Sequence, residues 1–433
     1  MNKEVIICVD DEQGILNSLG NQLQNRFRDQ YDYEFAESAE EALELIAELE
    51  AEDMQVIMII TDQIMPGLKG DQFLVSIHQK NPKPIKVLLT GYSSLDSAVN
   101  AINNADLFSY LLKPWNEHDL LLTVSRGLER YHLQRTLEKQ VETFRKFVPQ
   151  QFLNRIAHEG IESIKLGSVT RERRTLVFSD IRGFTRFAEN FAPAEVLQFL
   201  NQYFALMHVC IEKHGGFVDK FLGDAIMALF EHEDPKQEAK LAIQAAIAMQ
   251  KSLVEFNIEQ EKKGLSAVAA GIGIHSGRIV IGTVGSESRM DSTAIGDTVN
   301  VTSRLENLTK FYGCDIIVSE DSLALLKEDQ DIFWRELDII NIMGKEQVTT
   351  IYQIFSSQAR EIQPHVHEAV EIFHRGLHHY RRQEWEQSLH HFQHSLSLYP
   401  EDRVSQLYLD RCHHFRDNPP HDRWQGIHIF DHK

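Results

Sequence analysis

Asp180 and Asp224 are the carboxylates with the clearest chemical use in this sequence. Asp180 closes the apolar run RRTLVFSDI, and Asp224 follows a glycine inside DKFLGDAIMALF. Two hard oxygen donors at the ends of β-rich segments, beside glycines that bend the backbone, suit two divalent cations held over a triphosphate. The segment Ile181–Thr185 is hinged at Gly183 and starts a helix. Backbone N–H groups at Gly183, Phe184 and Thr185 can therefore face phosphate oxygens. Arg304 offers a cation for charge developing on a transferred phosphate. Asn300 lies four residues earlier, one helical turn away on the same face.

A second group of acids stands far from the first in the chain. Asp10 and Asp11 end the apolar run KEVIICV, and Asp62 ends VIMIITD. Thr90 closes IKVLLT, and Lys113 follows SYLL. Three acids gathered at one edge repel one another unless a cation sits among them, so a Mg²⁺ site is implied.

These residues need elements to position them. The first third of the chain alternates apolar runs with helical patterns. Strands are predicted at KEVIICV, YDYEFAES, VIMIITD, IKVLLTGY and FSYLLKPW. Helices are predicted at Ile15–Phe27, AEEALELIAEL, Asp71–Gln79 and Ser94–Asn103. Repeated βα units imply a doubly wound sheet, whose functional groups collect at the C-terminal strand ends. All five residues of the second group fall there.

This block resembles the receiver domains of two-component response regulators. The matching segments are VDDE, TDQIMPG, LLTGY and YLLKP, in that order. The resemblance makes Asp62 the phosphoacceptor and assigns Mg²⁺ to Asp10, Asp11 and Asp62. It sets Thr90 and Lys113 against the phosphoryl group, makes Tyr110 the aromatic switch and implies a cis bond between Lys113 and Pro114. It also implies a sensor histidine kinase as partner.

From about Gly167 to Phe355 the chain resembles the catalytic domain of class III nucleotide cyclases. Its strand RRTLVFSDI, helix Pro193–His214, hairpin GGFVDKFLGDAIMALF, helix Pro235–Asn257, strand AVAAGIGIHSG and helix after Asp297 predict an α+β sandwich of βαββαβ type. By the resemblance, Asp180, the backbone of Ile181 and Asp224 hold two Mg²⁺ or Mn²⁺ ions. Asn300 positions the ribose, Arg304 meets the α-phosphate and Lys345 meets the terminal phosphates. Lys220 and Thr293 occupy the positions that read the base. Adenine needs a donor at N1 and an acceptor at N6, which lysine and threonine supply. Guanylate cyclases typically carry glutamate and a small residue there. ATP is therefore the expected substrate and an adenylate cyclase the expected activity. A guanylate cyclase and a catalytically silent nucleotide-binding scaffold are the rival readings. In this family the metal acids and the base-reading set come from different protomers, which implies a homodimer with two composite sites.

Composition narrows the field further. A formal charge of −20 over 433 residues argues against a nucleic-acid face. No apolar run has membrane-spanning length, and the N-terminus lacks a signal-peptide pattern, so a cytoplasmic protein is expected. Cys8, Cys210, Cys314 and Cys412 form no CxxC pair and are expected to be free and buried. Residues 126–166 are predicted as a helical linker broken near Pro149. Leu133, Leu137, Phe144 and Phe147 fall near heptad spacing, which fits a short coiled coil or an amphipathic helix packed on a domain. The domains are then a receiver at 1–125, this linker, a cyclase block at 167–358 and a tail at 365–433. In the tail, Gly376, Ser388, Phe392, Ser395 and Pro400 fit one tetratricopeptide-like helical pair, which must dock on another surface. His374/His378 and His390/His394 have metal-ligand spacing but lack completing acids, so a solvated histidine face is expected.

Overall fold

The computed structural model describes residues 3–91, 104–156, 163–341, 348–356, 362–420, 424 and 426–429. The predicted helix Ser94–Asn103 and Lys345 lie outside the described residues. The chain divides into two compact units, Met1–Arg145 and Lys146–Lys433.

The first unit is a parallel sheet covered by helices. Its strands are β1 (Glu4–Val9), β2 (Asp32–Ala36), β3 (Gln55–Asp62), β4 (Ile85–Thr90) and β5 (Ser109–Leu112), in the order β2-β1-β3-β4-β5. Every pair is parallel. The middles of β1 and β3 are apolar because helices cover both faces. On β1, Val5, Ile7 and Val9 enter one core while Ile6 and Cys8 enter the other. Helices α1 (Gln13–Phe27), α2 (Ala39–Ala51) and α3 (Gly70–Lys80) connect the strands. Helix α4 runs without a break from Glu117 to Arg145. Gly127 allows its close approach: a Cβ there would lie 2.6 Å from Met58 Cε. Past Tyr131 the apolar residues of α4 turn outward, with Leu133 and Leu137 64% and 61% exposed.

The second unit begins with α5 (Gln150–Ile156), directly after Pro149. Phe152 is fully buried and meets Phe217 edge-on at 5.5 Å. Arg155 binds Glu172 at 3.0 Å and also pairs with Glu231. The sheet is built on β6 (Val169–Ile181), the hairpin β7 (Gly216–Leu222) and β8 (Ala225–Phe230), and β9 (Ala270–Ser286). β10 (Arg289–Ile295) folds back on β9. Helices α6 (Phe184–Ala188), α7 (Pro193–Lys213) and α8 (Pro235–Lys262) follow β6 and β8. α7 and α8 bury Phe199, Tyr203, Met207, Ile243 and Leu253 against one face of the sheet.

Helix α9 (Asp297–Tyr312) lies on β9. Gly273 makes this possible: a Cβ there would meet Thr302 O and Glu306 N, both at 2.4 Å. β11 (Ile316–Ser319), the short α10 (Glu320–Leu323), β12 (Trp334–Asn341) and β13 (Val348–Ile354) extend the sheet beyond β9. β11 shows the two-residue alternation of a strand between two cores. Ile316 and Val318 face the α7/α8 side, while Ile317 faces the C-terminal side.

The C-terminal segment contributes α11 (Pro364–Arg381), α12 (Trp385–Leu398), α13 (Arg403–Asp417) and the strand β14 (Ile427–Ile429), parallel to β12. α11 and α12 pack through Gly376 and Phe392, and Ser388 Oγ donates to Gly376 O at 2.7 Å. Two helices stand where a helical pair is expected, with a third helix and a closing strand after them. These helices dock on the sheet of their own unit: Phe373, Leu377 and Phe392, with Tyr408 of α13, share one core with Val301, Leu305, Tyr312 and Leu337. His374 is a half-buried acceptor from Glu336 N at 3.1 Å. Burial, then Arg335 and Arg381, push it down to about 4. The four cysteines are free and buried. Among the described residues no helix is long and apolar enough to cross a membrane.

Candidate functional site

Asp180 and Ile181 are the last two residues of β6, paired with Gly271 and Ala270 of β9. Asp224 sits in the tight turn between β7 and β8, where Gly223 takes φ +67. Antiparallel pairing of β6 with β8 brings that turn to the end of β6. The two carboxyls interact directly. Burial, with Asp180 beside it, pushes Asp224 up to about 6. A bound cation relieves this repulsion, so the oxygen donors fit a hard divalent metal. Gly183, at φ +69, caps the start of α6, and Phe184 and Thr185 are its first two residues.

Lys220 lies on β7 and Thr293 on β10. Lys220 Nζ reaches Asp291 Oδ2 at 3.5 Å, and Asp291 shares a strand face with Thr293, two residues on. The Thr293 hydroxyl donates to Ala294 O at 3.3 Å, which turns its lone pairs into the available acceptors. Asn300 and Arg304 fall in the first half of α9, one turn apart.

Four residues near these elements escaped the sequence reading. Lys310, on α9, donates to Asp180 Oδ2 at 3.3 Å. Glu306, one turn before it, is 2% exposed. Burial pushes Glu306 up to about 7, against the pull of Lys310 and with Asp180 and Asp224 adding to the rise. Arg182 ties the loop after Ile181 to the loop between α9 and β11 by donating to Cys314 O at 2.6 Å. Asp219, the extra residue of a β7 bulge, is buried, and burial lifts it to about 7. The Glu306–Lys310 spacing of four on a predicted helix was a usable sign. Nothing local marked Asp219.

In the first unit, Asp10, Asp11 and Asp62 offer oxygens all within 4.8 Å of one another. This is the only such group of acids, histidines or cysteines among the described residues, and its hard donors fit Mg²⁺. Lys113 Nζ bridges Asp10 Oδ2 at 2.7 Å and Asp62 Oδ1 at 2.6 Å. Burial raises the Asp10 carboxyl, while Lys113 pulls it back. Burial alone lowers Lys113, but its hydrogen bonds to Asp10 and Asp62 leave it raised. The Lys113–Pro114 bond is cis. Thr90 ends β4 and accepts at its carbonyl from Lys113 N at 2.8 Å. Tyr110, on β5, is 41% exposed. Gly70 is required where α3 meets the end of β3, since a Cβ would lie 2.0 Å from Asp62 O.

Residues 6–125 match the model of the response regulator receiver domain, and 168–355 match the adenylate and guanylate cyclase catalytic domain. An adenylate cyclase of Anabaena cylindrica is 44% identical over 223 residues, covering 50% of this chain and 44% of its own length. The terminal-differentiation adenylate cyclase of Dictyostelium discoideum is 36% identical over 268 residues, covering 62% of this chain and 12% of its own length. This chain thus spans less than half of either relative. The solved adenylyl cyclase CyaB from P. aeruginosa is 31% identical, covering 45% of this chain and 99% of that one, with a TM-score of 0.41.

Proposed function

We propose that this chain, which joins a response-regulator receiver domain to a class III cyclase catalytic domain, is a receiver-controlled adenylate cyclase. It converts ATP to 3′,5′-cyclic AMP and pyrophosphate. The supporting observation is that β6–β8 pairing brings the Asp224 turn to the end of β6, where Asp180 stands, inside the cyclase match, with Lys220 and Thr293 available for an adenine edge.

In the reaction the ribose 3′-oxygen attacks the α-phosphorus and loses its proton, and the bond from that phosphorus to the β-phosphate bridging oxygen breaks. Asp180, Asp224 and the Ile181 backbone hold the divalent cations, which when bound supply hydroxyl activation and charge neutralisation. N–H groups at the start of α6 orient phosphate oxygens. Asn300 positions the ribose, and Arg304 stabilises charge on the α-phosphate. Lys345 meets the terminal phosphates. Lys220 donates to adenine N1, and Thr293 accepts from N6. Two protomers supply the two halves of each site, so the working form is a homodimer. The receiver takes its phosphoryl group on Asp62 from a sensor histidine kinase.

The test is a cyclase assay on the purified full chain with ATP and GTP side by side, with and without acetyl phosphate. ATP should be preferred by at least ~10-fold in kcat/KM, because the wrong base leaves buried polar groups unpaired. Equal use of both overturns the adenine reading, and no product from either overturns the enzyme.

A further inference from the structure

Helix α9 brings two ionisable side chains toward Asp180 that the proposed reaction leaves unused. Lys310 Nζ donates to Asp180 Oδ2 at 3.3 Å, and its side chain is 45% exposed. Glu306, one turn earlier, is buried, and its Oε1 has no hydrogen-bond partner. A Cβ on Gly271 would lie 2.9 Å from that oxygen, and Gly271 is the residue paired with Asp180 across β6 and β9. The unpartnered oxygen thus lies against the strand position next to Asp180.

A buried carboxylate oxygen without a donor is costly, so a working state that supplies one is expected. Lys310 is a long, flexible cation four residues away on the same helix face. It already holds the oxygen that a divalent cation would need. An ammonium and a divalent cation repel each other at one carboxylate, and the ammonium is the one with a tether and a second acceptor in reach.

We propose that Lys310 exchanges between two carboxylates, pairing with Asp180 when no divalent cation is bound and with Glu306 Oε1 when a cation takes Asp180. Lys310 and Glu306 are then positioning residues for the metal carboxylate. They keep Asp180 paired in the resting state and set the cation concentration at which the site loads. This rests on reading Asp180 as a metal carboxylate.

The test reads Mn²⁺ binding to the full chain by electron paramagnetic resonance, with 3′-deoxy-ATP present so that no turnover occurs. The Mn²⁺ lost in Asp180→Asn defines the share belonging to this site. Lys310→Met should tighten that share ~3-fold, and Glu306→Gln should weaken it ~5-fold by leaving Lys310 no second seat. The double variant should match Lys310→Met alone, since Glu306 acts only through Lys310. Glu306→Asp keeps the charge but withdraws the seat, and covers the case in which Glu306→Gln does not fold. It should also weaken binding and be rescued by Lys310→Met. Additive effects in both cycles overturn the exchange and leave the Asp180 assignment standing. If Asp180→Asn removes no Mn²⁺, the metal reading fails and the exchange with it.

Discussion

Arg335 and Asp402 form a two-bond ion pair inside the second unit, at 2.6 and 2.9 Å, although 67 residues separate them. Both side chains are buried. Gln353 Oε1 accepts a further Arg335 hydrogen bond at 2.5 Å, and the Phe373 ring stacks 4.8 Å from the guanidinium. Asp402 also caps α13, accepting from Val404 and Ser405 N–H groups. Burial would raise its carboxyl, but Arg335 beside it holds it below the usual carboxylate range. The pair therefore fastens the C-terminal helices to β12.

Breaking one partner leaves an uncompensated charge. Asp402→Ala should cost about 3–5 kcal/mol, read as a lowered denaturant midpoint of the cyclase unit. Replacing both residues by apolar ones of similar volume should recover most of that loss. A single variant as stable as wild type would contradict the role.

His374 gives the same interface a pH dependence. Its folded value, about 4, lies below the ordinary 6.5, so the unfolded chain binds the extra proton between those values. Its contribution is full above pH ~6.5 and fades as the pH falls toward ~4, to a total of roughly 3 kcal/mol. Glu306 and Asp219 run the other way, being raised to about 7 by burial, so their contributions fade as the pH rises. The readout is thus a difference: His374→Asn should flatten the loss of stability between pH ~6.5 and ~4 relative to wild type. An unchanged slope in urea titrations would remove His374 from the account.

Much of this arrangement is legible because the candidate site residues sit at strand ends. Asp10, Asp62, Thr90 and Lys113 each follow an apolar run, and parallel pairing collects run ends at one edge. Asp180 and Asp224 are legible for a different reason: antiparallel pairing sets the β7–β8 turn beside the end of β6, and Gly223 marks that turn. The helix Pro235–Asn257 runs on to Lys262, since polar residues such as Glu259 and Gln260 continue a helix once the turn before them packs. The strand AVAAGIGIHSG extends to Ser286 as β9, because its glycines admit α9 and the backbone at Ser168 rather than ending the strand. The third tail helix depends on partners such as Arg335 and Asp338 that local pattern does not reveal. Asp338 accepts from Tyr312 at 2.8 Å and from Arg411 at 2.6 Å.

The metal assignment makes a sharp mutational prediction. Asp180→Asn and Asp224→Asn should each abolish turnover with the melting temperature retained, since burial of this pair is already unfavourable without a cation. Arg304→Ala should do the same from the other half of the site. Mixing Asp180→Asn with Arg304→Ala protomers should restore one intact site per heterodimer. Demonstrably mixed dimers that stay inactive would rule out composite sites.

Asp62 is the residue through which the receiver should act. Phosphorylation adds about −1.5 to −2 charges where three acids already meet. Lys113 bridges Asp10 and Asp62 and is the cation placed to follow that charge. Its backbone N–H is held by Thr90 O, so movement at Lys113 and Thr90 is shared between β4 and β5. Tyr110 stands on β5 three residues before Lys113, exposed and able to turn inward. Helix α4 follows directly after β5 and packs on the same core through Leu120, Val124 and Leu128. A change at the strand end is therefore delivered to the base of a helix that continues to Arg145. A ~10-fold change in activity needs only about 1.4 kcal/mol of preference between two states, within the reach of one relocated charge. Acetyl phosphate or beryllofluoride should raise wild-type cyclase activity and leave Asp62→Ala unchanged. Lys113→Ala should still accept phosphate, as followed by mass, yet lose most of the response. If Asp62 is fully phosphorylated and the wild-type rate does not move, the receiver does not control this enzyme.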